Sequence, residues 1–498
     1  MVQPTTPVRR RALVALAALV AALSSAAGQS AQPAGSNASP AGKIPLSTTS
    51  AEARADYLKG RTLQESLRAH ESREYLFRAI AKDPNFAMAH LNLANTAPTG
   101  TEFFEHLGHA VRLAEKASPG ERMVIQVAQA GANADAAKAL EILQKLVADY
   151  PEDERAHFQL GGAWFGRQDY GKAIEEYQRA IAIAPDYTPA YNIMGYAYRT
   201  EGKYGEAEQA FKKYIELIPD DPNPYDSYAE LLMKMGRFEE SIAQYRKALD
   251  QNPRFAPSFI GISTNLMFQR KYDAARAEAG KLYSGARNDG EKRAAMFQNT
   301  VAYIEEGKPD QALAELDKQY ALGEATSDAA AMAGDATSMG NVLLETGKPA
   351  EALKRFDQAL QVTQRSDLDP EIKTNAKVFH GYNAARVAIA NGDLATAKRE
   401  GDAFLKASTA AKNPFQIRLG HEVAGMIALA EKNYDGALAH LAEANNQDPY
   451  NLYRQGLAYD GKGDKAKAKA MFKRAVEFNQ LPTLNSAFVR AKKGTMKA

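Results

Sequence analysis

Four consecutive segments in the first half of the chain repeat the same residue types every 34 positions, the mark of a stack of identical structural units. Prolines stand at Pro151, Pro185, Pro219 and Pro253, and small residues keep step at Ala139, Ala173, Ala207 and Ser241. Two further ladders run between them: Gly161, Gly195 and Ala229, and Tyr177, Phe211 and Tyr245. In the unit that ends at Pro185, apolar residues recur three or four apart in two blocks, 158–165 and 173–183, split by residues 167–170. Each unit therefore reads as a pair of helices. Glycine suits the left-handed residue that ends a helix, and proline stops the second one. Small residues let the two helices approach, and the aromatic residues fill the space between pairs.

The pattern extends in looser form on both sides. A weak first unit contains Tyr57, Gly60, Leu76 and Ala79, and a second helix pair is expected over 86–94 and 103–117. After Pro253 the small residue of the second helix recurs at Ala275, Ala312, Ala352, Ala397 and Ala437, at spacings of 312 − 275 = 37, 352 − 312 = 40, 397 − 352 = 45 and 437 − 397 = 40. Longer helices or loops account for the stretch, with Gly307, Gly347 and Gly392 at turns. Gly456, Ala468, Phe472 and Ala475 form a last unit. Residues 484–493 are expected to cap its open apolar face, within a capping helix and basic tail over 481–498. The chain reads as all-α, with about 11–12 antiparallel helix pairs. A first array covers 51–285, regular over 118–287, and a second covers 286–480, the boundary lying near 284–290.

Ahead of the repeats, Arg9, Arg10 and Arg11 precede an apolar run from Ala12 to Leu23 and small residues to Gly28. This is the layout of a secretory signal peptide over 1–28, with twin-arginine export as a variant. The run is shorter than the about 20 residues that span a bilayer. Residues 29–50, rich in Ala, Ser, Pro, Gly and Thr, are expected to be a flexible linker. Removing 1–28 takes three arginines and no acid from a chain of net charge +2, leaving 2 − 3 = −1. A nearly neutral chain lacks the basic surface that phosphate binding demands, so no nucleic-acid partner is expected. The absence of cysteine excludes disulfides and thiol chemistry.

Leu160, Gly161, Trp164, Ala173, Tyr177, Ala180 and Pro185 resemble the tetratricopeptide-repeat signature position for position. Departures are Leu146 and Tyr214 where alanine is usual, and Leu232 and Leu266 in place of the aromatic residue. The resemblance implies a tetratricopeptide-repeat α-solenoid, a right-handed superhelix in which the first helix of each pair lines a concave groove that holds a peptide or helix of a partner. Carried over, the groove positions are Phe158 and Phe165, then Asn192, Tyr196 and Arg199, then Asp226, Glu230, Met233 and Lys234, then Thr264, Met267 and Phe268. The Lys and Asn with which a chaperone-binding subclass grips a terminal carboxylate are replaced here by Phe158 and Gly162, so that specificity is not implied.

No His-Glu-x-x-His, Gly-x-Ser-x-Gly, phosphate loop or complete Gly-x-Gly-x-x-Gly is present. His106 and His109 share a helix face beside Glu105, but two ligands do not make a metal site, and both are expected as ordinary helix residues. Trp164 is expected in the core, and Lys492, Lys493 and Lys497 in a solvated tail. The expected function is a non-enzymatic protein-interaction scaffold of the bacterial cell envelope, periplasmic or secreted, with no cofactor and no metal. Two other classes fit less of the sequence. One is an envelope glycan or small-ligand binder, with Phe158, Tyr196 and Phe268 stacking on sugar rings; the other is a hydrolase with a site assembled between repeats.

Overall fold

The computed structural model describes residues 41–66, 68–97, 100–133, 135–368, 370–411 and 413–492. The signal-peptide reading, and the linker as far as residue 40, lie outside them. The chain packs as two compact units: one runs through Leu231 and includes Arg246–Pro253, the other comprises Leu232–Tyr245 and everything from Arg254. The division falls at residues 231–254, ahead of the boundary expected near 284–290.

In the first unit, α1 (Ala51–Glu65) pairs with α2 (Ala69–Lys82), α3 (Ala87–Asn95) with α4 (Gly100–Leu113), α5 (Pro119–Ala132) with α6 (Ala136–Asp149), α7 (Glu154–Gly166) with α8 (Tyr170–Ile183), and α9 (Thr188–Thr200) with α10 (Tyr204–Leu217). The units exchange within α11 (Pro222–Lys234) and α12 (Phe238–Gln251). The second unit continues with α13 (Ala256–Phe268) and α14 (Tyr272–Gly285), α15 (Asp289–Glu305) and α16 (Pro309–Ala325), α17 (Ala329–Glu345) and α18 (Pro349–Arg365). It is completed by α19 (Pro370–Ala390) and α20 (Leu394–Ala410), α21 (Pro414–Ala430) and α22 (Tyr434–Glu443), α23 (Pro449–Gly461) and α24 (Lys465–Val476), and a lone α25 (Leu484–Ala491). The twelve pairs among the described residues agree with the expected all-α repeat architecture, and only the α14–α15 loop lies at 286–288.

Each sequence ladder has its place in this arrangement. Pro151, Pro185, Pro219 and Pro253 all sit just past the last helical residue of α6, α8, α10 and α12. Ala173, Ala207, Ser241, Ala275, Ala312, Ala352, Ala397, Ala437 and Ala468 are fully buried, where the two helices of a pair are closest; Ala139 alone is partly exposed. Gly161 faces the ring of Tyr177, Gly195 that of Phe211, Gly340 that of Phe356 and Gly456 that of Phe472. A Cβ at Gly340 would lie 2.4 Å from a Phe356 ring carbon, closer than any real contact allows. Trp164 packs, partly buried, against the hydrophobic core, as expected.

From α7 onward the turn between the helices of a pair contains a residue in the left-handed region, which costs a side-chain-bearing residue about 1–2 kcal/mol. Glycine takes the place at Gly202, Gly236, Gly307 and Gly347, but Gln168 (φ 65°) and Arg270 (φ 59°) hold the same position in their turns. Gln168→Gly is expected to stabilise by about 0.5–1 kcal/mol and Gly202→Ala to destabilise by about 1 kcal/mol, read from urea midpoints.

Residues 43–48, assigned to the flexible linker on composition, form an ordered extended strap over the amino ends of α5 and α7. Ile44 N–H donates to Asp153 (3.0 Å), Ser47 N–H to both oxygens of Glu121 (3.1 Å), Ser118 Oγ to Pro45 O (2.7 Å), and Lys43 Nζ pairs with Glu154 (2.5 Å). Glu121 is fully buried and also closes the capping box of α5 with Ser118. Composition reports flexibility only for a segment whose backbone finds no partners, and here buried carboxylates supply them.

Candidate partner-binding site

In the second unit the residue two positions before the left-handed turn residue stands at the same register in successive first helices. At α11, α13, α15 and α17 these residues are Lys234, Phe268, Glu305 and Glu345, preceding Gly236, Arg270, Gly307 and Gly347. The carboxy-terminal segment crosses all four. Phe478 lies under Lys234 Nζ, 3.6 Å from its ring centre, and the Arg490 guanidinium covers Phe268 at 4.5 Å. Arg490 Nε donates to Glu305 at 2.7 Å, and Lys492 pairs with Glu345. From the other side, Asn485 Nδ2 donates to Asp448 (2.5 Å), which also caps α23, and Tyr450 Oη donates to Glu345 (2.7 Å). Ala487 and Phe488 are buried in a cluster with Met267, Val301 and Met339, and Val489 in another with Leu452 and Ala475.

α25 packs on the last pair, where a cap was expected, and also reaches beyond it. Its side chains reach back to α13, α15 and α17 as well as touching α23 and α24, so it lies along the first-helix face and does not simply close the end of the stack. Lys492 likewise is ion-paired and not part of a solvated tail; Lys493 and Lys497 lie outside the described residues. Glu305 is only 2 % exposed. Its burial pushes the carboxyl above the ordinary range despite the attraction of Arg490. A polar network behind α23 holds Tyr450 in position: Glu422 accepts from Tyr382 Oη (2.9 Å) and Asn451 (3.1 Å) and pairs with Arg454 (3.0 Å), whose guanidinium covers the Tyr450 ring.

The residues predicted to line a groove divide between the two units. In the first, Phe158 packs on Tyr177 and Tyr187, and Phe165 on Tyr170. Tyr196 donates to Ser227 (3.3 Å), Arg199 covers the Tyr196 ring and pairs with Glu230 (2.9 Å), and Asn192 and Asp226 are buried. In the second, Met233 and Thr264 are fully buried, the Thr264 hydroxyl bonding to Ile260 O, and Met267 belongs to the core. These five buried positions correct the expectation of outward-facing side chains: first-helix positions contact neighbouring helices on two sides, and sequence register alone does not separate those sides from the third. Lys234 and Phe268 do meet another segment, the chain's own tail.

Sequence reasoning missed Glu305, Glu345, Asp448 and Tyr450. A signal existed: two glutamates 345 − 305 = 40 residues apart at one register, and the cations Arg490 and Lys492 after the last repeat.

The pair His106 and His109 gains a third imidazole. His90 Nδ1 lies 3.3 Å from His106 Nδ1, and its ring stacks on His109 at 4.9 Å. Among the described residues no group of three or more His, Asp or Glu side chains has a metal-binding arrangement. Burial, then the nearby His109, His106 and Arg112, lowers the His90 pKa to about 4. A depressed histidine contributes stability that is present above its ordinary value near 6.5 and lost as pH falls toward 4. Wild type is expected to lose about 1–3 kcal/mol more than His90→Phe between pH 7 and pH 4.5, measured by urea unfolding.

Tetratricopeptide-repeat family profiles match residues 128–188, 198–259 and 449–480. No curated protein matches the chain. Similar solved structures include a tetratricopeptide-repeat protein of Parabacteroides merdae (14 % identity, 52 % of this chain and 98 % of that one, TM-score 0.38). Others are a thermophilic tetratricopeptide-repeat protein of Thermus thermophilus (22 %, 43 % and 99 %, 0.29) and MamA of Desulfovibrio magneticus (16 %, 32 % and 92 %, 0.30). With three profile matches lying on helix pairs whose glycine, alanine, aromatic and proline ladders keep the repeat register, the chain is a tetratricopeptide-repeat protein.

Proposed function

We propose that the protein is a non-enzymatic interaction scaffold of the bacterial cell envelope, exported by the segment 1–28, which takes a peptide or helix of a partner protein on the first-helix faces of its repeats. Tetratricopeptide repeats are protein–protein interaction modules, and a protein partner follows from the class. The observation that supports the face is the seating of α25: an amphipathic helix lies there with its apolar side buried and its cations on glutamates. Among the described residues no helix is long and apolar enough to cross a membrane. The glycan reading draws no such support, because Phe158, Tyr196 and Phe268 already have ring or guanidinium neighbours.

Cross-linking in intact cells tests the proposal, with wild type beside two variants, Tyr196→Ala/Arg199→Ala/Glu230→Ala in the first unit and Glu305→Lys/Glu345→Lys in the second. A protein captured by wild type and lost from either variant is expected. Identical captures from all three chains would contradict the reading, as would a reporter fused to residues 1–40 that stays in the cytoplasm.

A further inference from the structure

We propose that the site filled by α25 is a receptor for a partner's basic amphipathic helix, and that α25 holds this site closed until such a helix displaces it. This deepens the scaffold reading and rests on it. The occupant's chemistry is written in the contacts. Phe488 and Val489 supply the buried apolar pair, Arg490 covers Phe268 and meets Glu305, Lys492 meets Glu345, and Asn485 meets Asp448. All three polar partners on the receptor are acids, so a competing helix must be basic. It needs an aromatic and a branched aliphatic residue side by side, arginine next and lysine two positions on.

Two features make displacement feasible. α25 has 8 residues, about two turns, too short to persist as a helix without the surface that holds it. It is joined to α24 by the non-helical residues 477–483, which include Pro482. Release therefore breaks no helix of the repeats. A tethered segment acts at an effective concentration in the millimolar range, so it weakens a free competitor without abolishing its binding.

The test uses a fluorescent synthetic peptide of residues 478–492 as the probe and the full chain as the receptor. Val489→Asp, which opposes burial of α25, is expected to raise peptide affinity at least ten-fold over wild type. Adding Glu305→Lys and Glu345→Lys should reverse the gain, and a peptide with Arg490→Glu and Lys492→Glu should restore binding to that receptor. Hydrogen exchange on wild type gives a readout free of substitutions: amides of α25 are expected to exchange faster than those of α15 and α23. Exchange of α25 only with global unfolding would overturn the proposal by making the helix a permanent part of the core. Equal peptide affinity for wild type and Val489→Asp would overturn it as well. A dimer of Val489→Asp or wild type with exchanged tails would instead assign the site to a second copy. None of these failures touches the scaffold reading if the first-unit variant still loses a captured protein.

Discussion

Glu422→Ala is expected to destabilise the second unit by about 3–5 kcal/mol, because it leaves a buried arginine without its carboxylate. Glu422 is 3 % exposed and Arg454 7 %, so water does not replace the lost partner. Burial alone would raise the Glu422 carboxyl, but Arg454 and then Arg386 outweigh it and hold the group below its ordinary range. A depressed carboxyl contributes stability that is present above its unfolded value near 4.5 and lost as pH falls through the folded one. Urea unfolding at pH 7 and pH 3.5 therefore separates two variants. Glu422→Gln, which keeps the shape and an acceptor, should cost less than alanine at pH 7, and both should show less acid sensitivity than wild type. The loss should spread to adjoining pairs, since each repeat rests on its neighbours.

Phe356→Ala is expected to cost about 3–5 kcal/mol, the range for emptying a buried aromatic site. Phe356 is 1 % exposed and its ring occupies the space that the missing side chain of Gly340 leaves open. Gly340→Ala should cost about 1–3 kcal/mol by overpacking. The double variant Gly340→Ala/Phe356→Ala is expected to be more stable than the two losses added together, because the new methyl enters a space already vacated. Strict additivity, measured by urea unfolding, would mean that glycine and ring do not share that space.

The helix pairs were legible in the sequence because their determinants are local and periodic. Gly161, Ala173, Tyr177 and Pro185 each act within one unit, and repetition at fixed spacing makes each instance vouch for the next. The strap was not legible, since residues 43–48 owe their order to Glu121, Asp153 and Glu154, far along the chain. The candidate site was half legible. Register found Lys234 and Phe268, but Met233 and Thr264 share their helices and turn into the core. The placement of α25 depends on Glu305 and Glu345 facing a segment that follows more than 130 residues later, since 490 − 305 = 185 and 492 − 345 = 147. Only a fold brings such residues together, and a helix after the last repeat looks the same in sequence whether it caps the end or turns back.

The most direct measurement places a photoreactive benzoylphenylalanine at position 268 and irradiates living cells, in the otherwise unchanged chain and in the Val489→Asp background. Mass spectrometry is expected to find the unchanged chain linked to its own residues 478–492. In the Val489→Asp chain it should find position 268 linked to a second protein, through a segment with the basic amphipathic pattern. A Val489→Asp chain that keeps its helical circular dichroism and cooperative melting, yet links at position 268 to no other protein, would contradict the account.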